Sequence, residues 1–320
     1  MEYAKLDNKK LPKIVFGTWS WGTGVNGGKM IFGKSVEEEE IHKAYKKAVE
    51  NGFILWDTAA VYGAGTAESL LAKFTGDNKD IIYSTKFMPF GLQRRSRMKK
   101  SLVGSLERLD RDSVDIFWIH RAANVRKWIE EIIPLIRKGL IKHIGLSNHT
   151  LPQIKQAKKI LDIMNIPLSA IQNHYSLLYR ASEKSKILEF CEKNGIVFFS
   201  YMVLEQGALT GVYSAQNPFP KMSERGLTYT KRKLRRIEPL IDKMKELANK
   251  YDVEVAAIAI AWAIGKGTIP ILGITKERHL NASLQAVDLK FREKECRELE
   301  DIADSCHINV KGIWEPKISS

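Results

Sequence analysis

Short runs of apolar, β-favouring residues recur along the chain, and stretches with helical spacing of apolar positions separate them. The runs are Lys13–Phe16, Phe53–Trp56, Ile81–Ser84, Val114–Trp118, Ile141–Ile144, Leu168–Ile171, Ile196–Phe199 and Thr268–Leu272. Between them Glu37–Asn51, Trp128–Lys138, Lys184–Lys193 and Lys276–Val287 read as helices. The punctuation agrees: Ser35 stands ahead of the acidic first turn Glu37–Glu40, and Gly52, Gly139 and Gly195 follow helical runs. Alternating strands and helices joined by right-handed crossovers predict an α/β architecture, a single (β/α)8 TIM barrel over residues 1–320. The spacing breaks once, between Tyr201 and Thr268. There Glu205–Arg236 reads as a long Gly/Pro-containing loop with two helices after it, and loops of that length in a compact domain are usually functional.

Composition narrows the classes. With 44% hydrophobic and 28% charged residues, the chain reads as globular. Lys+Arg 51 against Asp+Glu 37 gives a formal charge of +14, which raises nucleic acid and anionic membranes as partners. The basic residues are spread out, however, and the two dense runs, Arg94–Lys100 and Lys231–Arg236, lack interleaved aromatics. Neither nucleic acid nor membrane is expected; a polyanionic small ligand is compatible with the charge. The 3 cysteines, Cys191, Cys296 and Cys306, match neither a zinc site nor a redox pair, so no metal is expected. Met1–Lys10 is polar, and the apolar stretch Val255–Ile264 is about half of a membrane span. A reduced, cytoplasmic setting is the expectation.

In a (β/α)8 barrel the C-terminal strand ends share one mouth. Asp57 ends the second strand, Lys86 the third, His120 the fourth, Ser147 and Asn148 the fifth, Gln172 the sixth and Tyr201 the seventh; Tyr62 follows Asp57 in the next loop. A lone Lys, Asp or His is ordinarily surface or packing, but four titratable groups on one rim are hard to explain so. A phenol with a pKa of about 10 is a poor donor near neutrality. A nearby Lys86 ammonium is expected to shift Tyr62 down, with Asp57 holding Lys86 charged and His120 orienting a substrate carbonyl. No nucleophilic side chain with its own base is evident, so the nucleophile is expected from a cofactor.

The segment Asp57-Thr-Ala-Ala-Val-Tyr-Gly63, with Gly65 and Glu68, resembles the signature of the aldo-keto reductases. So do Gly17-Thr-Trp19, Ser84-Thr-Lys86, Ile119-His120, Gly145-Leu-Ser-Asn148, Gln172 with Tyr175-Ser176, and Gln206-Gly-Ala-Leu-Thr-Gly211. The resemblance implies hydride transfer from NADPH to an aldehyde or ketone, with Tyr62 as general acid and Asp57, Lys86 and His120 completing a catalytic tetrad. It places the nicotinamide carboxamide on Ser147, Asn148 and Gln172 and its ring on Tyr201. Further cofactor contacts are implied at Gly17, Thr18, Trp19, Leu204, Gln206, Gly207, Leu209, Gly273, Thr275, Lys276, His279 and Ser283. Lys276, entering a helix, suits the adenosine 2′-phosphate. There is no strand-borne Gly-x-Gly-x-x-Gly, so the dinucleotide is not held in the Rossmann manner.

Two departures stand out. Met202-Val203 replace the family's Ser-Pro beside the stacking tyrosine, and Asn281-Ala-Ser283 replace its Glu-Glu-Asn, which bears on the adenine contacts. The expected pocket is lined by Trp19, Trp21, Tyr62 and His120 and shaped by the loops Trp19–Phe32 and Glu205–Arg236 and a tail containing Trp314. The competing readings are a relative of the potassium-channel β subunits acting as a redox-sensing binding protein, a Schiff-base enzyme using Lys86, and a scaffold. The oligomeric state is open.

Overall fold

The computed structural model describes residues 5–6, 9–24, 27–28, 36–312 and 315. The barrel strands are β1 (Val15–Gly17), β2 (Leu55–Asp57), β3 (Ile82–Phe87), β4 (Val114–Ile119), β5 (Ile141–Ser147), β6 (Leu168–His174), β7 (Val197–Tyr201) and β8 (Ile269–Gly273). Each pairs in parallel with the next and β8 pairs with β1, which closes the barrel. The larger helices are α1 (Glu38–Glu50), α2 (Thr66–Thr75), α3 (Ser96–Leu109), α4 (Val125–Arg137) and α5 (Leu151–Ile163). After β6 come α6 (Ala181–Lys184) and α7 (Ile187–Lys193); after β7 come α8 (Glu224–Thr228), α9 (Lys231–Tyr251) and α10 (Val255–Gly265). The chain then adds α11 (His279–Asp288) and α12 (Glu293–Ser305). Among the described residues no helix is long and apolar enough to cross a membrane.

The period-2 alternation of a strand sorts side chains between two cores. Leu55, Ile82, Ile116, Trp118, Ala170, Val197, Phe199 and Ile269 pack inside the barrel, where Leu6 and Leu11 from the segment before β1 join them at its N-terminal end. Phe16, Trp56, Tyr83, Phe117 and Phe198 point outward and pack with the helices. With the lower barrel apolar, polar side chains collect at the opposite mouth.

The strands run further towards that mouth than the apolar runs suggest. Lys86, Ser147, Gln172 and Tyr201 lie within strands, because backbone pairing continues through polar residues that hydrophobic periodicity does not count. Glu205–Arg236 is not one loop: it holds a 3-10 turn at Glu205–Thr210, then α8 and the start of α9, capped by Ser223 and Thr230 side chains. The run at Lys231–Arg236 hides the helical period of α9, whose Leu234 and Ile237 are buried. The predicted helix Lys184–Lys193 breaks in two at Lys186, which is left-handed at φ 62°. The N-cap of α1 is Glu37, which makes no side-chain capping bond; Ser35 and the tail residue Trp314 lie outside the described residues, as do parts of the Trp19–Phe32 loop.

Gly145 makes room for the largest residue of the inner core. A Cβ there would stand 2.1 Å from Cε3 of Trp118. Trp118 cannot retreat, being buried and donating its indole N–H to Ser84 Oγ at 2.5 Å. Gly145→Ala is therefore expected to lower stability by about 1–3 kcal/mol through overpacking, read from the urea midpoint at unchanged m-value; an unshifted midpoint would show that the barrel relaxes around the methyl.

Candidate active site

Two charges face the lumen at the top of β2 and β3. Asp57 and Ser84 are register partners, and Lys86 lies two residues on, on the same face. Lys86 is fully buried and Asp57 is 3% exposed. Lys86 Nζ donates to Asp57 Oδ2, to the Thr58 carbonyl at 2.8 Å and to Tyr62 Oη at 3.4 Å, which uses its three donor sites. The other carboxylate oxygen of Asp57 accepts from Ser84 Oγ at 2.8 Å and from Gln172 Nε2 at 3.1 Å. Burial alone would drive the Lys86 ammonium towards its neutral form, but Asp57 and Tyr62 overcome it and hold its pKa above the ordinary lysine value.

Tyr62 sits on a tight turn after β2. Gly63, Ala64 and Gly65 are left-handed in succession, at φ 57°, 54° and 99°. The turn is held from both sides: Thr66 Oγ1 donates to the Gly63 carbonyl at 2.9 Å, and the Arg108 side chain lies against Gly65 so closely that a Cβ would stand 2.5 Å from its Nε. That Nε donates to Glu68 Oε2 at 2.7 Å, and Thr85 Oγ1 donates to Glu68 Oε1 at 2.5 Å, so a fully buried carboxyl ties α2, α3 and β3 behind the tyrosine.

Partial burial raises the pKa of the Tyr62 phenol, and Asp57 adds to that; Lys86 offsets it without reversing the direction. The expected downward shift does not occur in this state, because desolvation of the phenolate outweighs one ammonium at 3.4 Å. The His120 ring lies edge-on to Tyr62 at 6.0 Å. Burial, then Lys86 and Arg121, hold the His120 pKa well below the ordinary imidazole value, so it is neutral near pH 7. Its Nδ1 is buried without a hydrogen-bond partner among the described residues. Trp19 stacks on Tyr62 with centroids 6.1 Å apart and supplies an aromatic wall.

Around this centre the other predicted residues fall into groups. Asn148 donates to the His120 carbonyl at 3.0 Å and to Ser147 Oγ at 3.1 Å, and accepts from Tyr201 Oη at 2.5 Å. Ser147 and Thr18, both fully buried, hold neighbours: Thr18 Oγ1 donates to Thr58 Oγ1 at 2.8 Å. Gly17 pairs with Asp57 across β1 and β2. After β7 the chain turns through left-handed Met202, Glu205 and Gln206, φ 61°, 47° and 56°, then Gly207; Leu204 is half-buried there. Gly273, the last residue of β8, is exposed; beyond it Thr275 lies 3.4 Å from the His279 ring, and Ser283 is buried with a hydroxyl that has no partner among the described residues.

Two residue placements are corrected. Trp21 does not line the mouth: it is 2% exposed, its indole N–H donates to the Ile274 carbonyl at 2.6 Å, and it packs on Tyr45, Trp56 and Phe74. Leu209, carried over from the resemblance as a cofactor contact, is fully buried in the outer core. Lys276 is not inside a helix start, since α11 begins at His279; it pairs with Glu40 at 3.1 Å. Sequence reasoning missed Arg108, Trp118 and Thr85 as supports. The available signal was Glu68, an acid on the same face of α2 as buried Ala67, Leu71 and Thr75.

Such a mouth, with its titratable groups gathered at the C-terminal strand ends, is the working face of a barrel enzyme. The chain belongs to the aldo/keto reductase family, whose profile matches residues 13–304, and is accordingly an oxidoreductase of carbonyl compounds. It is 31% identical to the chloroplastic pyridoxal reductase of Arabidopsis thaliana, over 94% of this chain and 86% of that protein. It is 26% identical to the Schizosaccharomyces pombe aldo-keto reductase yakc [NADP(+)], over 95% and 92% of the two chains. A solved glycerol dehydrogenase from Gluconobacter oxydans shares the fold, with a TM-score of 0.82 at 23% identity over 96% and 97% of the chains.

Lys86→Met keeps volume but strips the buried Asp57 carboxylate of its cation, leaving the Ser84 and Gln172 donors among the described residues. The variant is expected to fold with a loss of about 3 kcal/mol, the low end for a broken buried pair, measured by urea denaturation; an unchanged midpoint would mean the pair adds nothing to the fold.

Proposed function

We propose that the protein reduces the carbonyl of a small aldehyde or ketone with NADPH, the hydride coming from the nicotinamide and the proton from Tyr62. One observation carries the reading: Lys86, locked to Asp57 in the barrel lumen, places its ammonium 3.4 Å from the Tyr62 hydroxyl at the open mouth.

The mouth fits a dinucleotide. Tyr201 offers a flat ring at a strand end, and Asn148 and Gln172 offer amides beside it. Gln206 Oε1 and Ser283 Oγ are buried without partners among the described residues, a demand that polar groups of a ligand would meet. Lys276 carries only a half-exposed pair with Glu40, weak enough to yield to a 2′-phosphate. Gly17, Thr18 and Ser147 act through the residues they position, while Trp19, Leu204, Gly207, Gly273, Thr275 and His279 border the channel.

The proton chemistry follows from the electrostatics. Desolvation keeps the Tyr62 proton in place until a substrate oxygen gains charge. As the proton leaves, the Lys86 ammonium stabilises the nascent phenolate without having to reorganise. Neutral His120 donates one N–H towards the same oxygen. The ammonium character of Lys86 withholds the lone pair that a Schiff base needs. Asp57 orients Lys86, and Trp19 walls the substrate side.

Tyr62→Phe keeps the ring and removes the proton. Turnover, followed as NADPH oxidation over a carbonyl panel headed by pyridoxal, is expected to fall by about 10²–10⁴-fold, while NADPH binding measured by fluorescence quenching stays within about twofold. Retention of a third of native turnover with hydride transfer rate-limiting would refute the assignment.

The pH profile supplies a separate check. His120 is already neutral below its ordinary titration range, and Tyr62 titrates above its own. The kcat/KM for reduction is therefore expected to be level between about pH 6 and 8; an acid-side fall centred near 6.5 would contradict a neutral His120.

A further inference from the structure

Beside the mouth lies a second buried cluster that the chemistry above does not use. His174 ends β6 and is the register partner of Tyr201. Its ring is 1% exposed and stacks on Tyr179 at 4.2 Å and on Tyr201 at 5.6 Å. Nε2 lies 2.8 Å from Glu205 Oε1, and Nδ1 lies 2.9 Å from Glu315 Oε1. A neutral imidazole has one N–H and cannot donate to both carboxylates; the geometry calls for the imidazolium.

The two arms are unequal. Glu205 is fully buried and uses both oxygens: Ser176 Oγ and His174 meet Oε1, and the Tyr229 hydroxyl donates to Oε2. Glu315 uses one: Oε1 also accepts from the Gly312 amide at 3.1 Å, while Oε2 is buried with no hydrogen-bond partner among the described residues. The segment that brings Glu315 here follows α12 and lies along α9, where Lys233 and Arg236 donate to the carbonyls of Asn309 and His307 at 2.7 and 3.0 Å. Glu205 itself belongs to the left-handed turn Met202–Gly207, a backbone that needs an outside hold to persist.

We propose that Glu205, His174 and Glu315 form a buried ionic clamp that fixes the turn after β7, with His174 as its positioning residue and the Glu315 segment as a detachable brace. The clamp rests on the NADPH reading only for its consequence: the braced turn carries Gln206 and Gly207, and His174 itself backs Tyr201, so the clamp sets how tightly the dinucleotide is held. It touches none of the reacting atoms. Burial opposes the His174 imidazolium, but Glu205 and Glu315 overcome that and raise its pKa to about 9. The groups facing it are Glu205 from the turn, Glu315 from the last segment, Tyr179 from the loop after β6 and Tyr201 from β7, with Tyr229 and Lys233 beyond Glu205. The sign follows from the raised pKa: the clamp is intact below the ordinary histidine range and is lost as pH rises through about 9, the Glu315 arm going first.

The test uses the full chain and its Glu315→Ala and Glu315→Gln variants. Hydrogen exchange of the peptide spanning residues 202–209 reads the clamp without any cofactor. Exchange is expected to be on the order of ten-fold faster in Glu315→Ala at pH 7 and close to native in Glu315→Gln, which keeps an acceptor for His174. The NADPH Kd, from fluorescence titration at pH 7 and 9.5, is expected to rise on the order of ten-fold in Glu315→Ala, with the hydride-transfer rate at saturating NADPH within about twofold of native. In the native protein the Kd is expected to weaken between those pH values, and in Glu315→Gln that weakening begins at lower pH. Native-like exchange and Kd in Glu315→Ala would overturn the clamp. Failure of the native protein to bind NADPH, with exchange responding as expected, would overturn the NADPH reading and leave the clamp standing.

Discussion

The ion pair between Lys86 and Asp57 constrains everything around it. An ammonium with no exposed surface is tolerable only with a carboxylate in contact and every remaining donor occupied, and Asp57, the Thr58 carbonyl and Tyr62 meet that condition. The pair also fixes register. Asp57 opposite Ser84 puts Lys86 on the lumen face, whereas a one-residue slip would turn the charges into the apolar layer under the helices.

The tyrosine depends on this pair from one side and on a second carboxyl from the other. Glu68 anchors Arg108 under Gly65 and reaches Thr85, the neighbour of Lys86 in β3. Three consecutive left-handed residues persist because neighbours on both sides leave the turn nowhere to relax. The phenol is thereby held at a fixed distance from the ammonium by two independent supports, one ionic and lumenal, one behind the barrel wall.

Much of this was legible in the order of residues. Alternating apolar runs and helical stretches specify a barrel, and the polar residue closing each run marks the mouth, which brings Asp57, Lys86, His120 and Tyr62 to one rim. What escaped has physical causes. Trp21 follows Trp19 by two positions, yet one stacks on Tyr62 and the other enters the outer core, a choice set by a 3-10 turn that composition does not encode. The direction of the Tyr62 shift depends on how desolvation compares with one ammonium, a balance of geometry rather than of residue type. Arg108 and Trp118 reach Glu68 and Ser84 from 40 and 34 residues away, through the packing of α3 on α2 and the pairing of β4 with β3, which local pattern does not reveal.

The hydrogen bonds on Asp57 have a consequence for how competence arises during folding. They start from β3 through Ser84 and Lys86, from β6 through Gln172, and, one step removed, from β4 through the Trp118 indole on Ser84. These are spokes across the lumen, drawn from chain segments more than a hundred residues apart at the extremes. A fragment that ends before β6 holds Asp57, Ser84, Lys86 and Trp118 but lacks the Gln172 donor. The acceptor capacity of Asp57 is therefore filled only when β6, 115 residues along the chain, takes its place opposite β2.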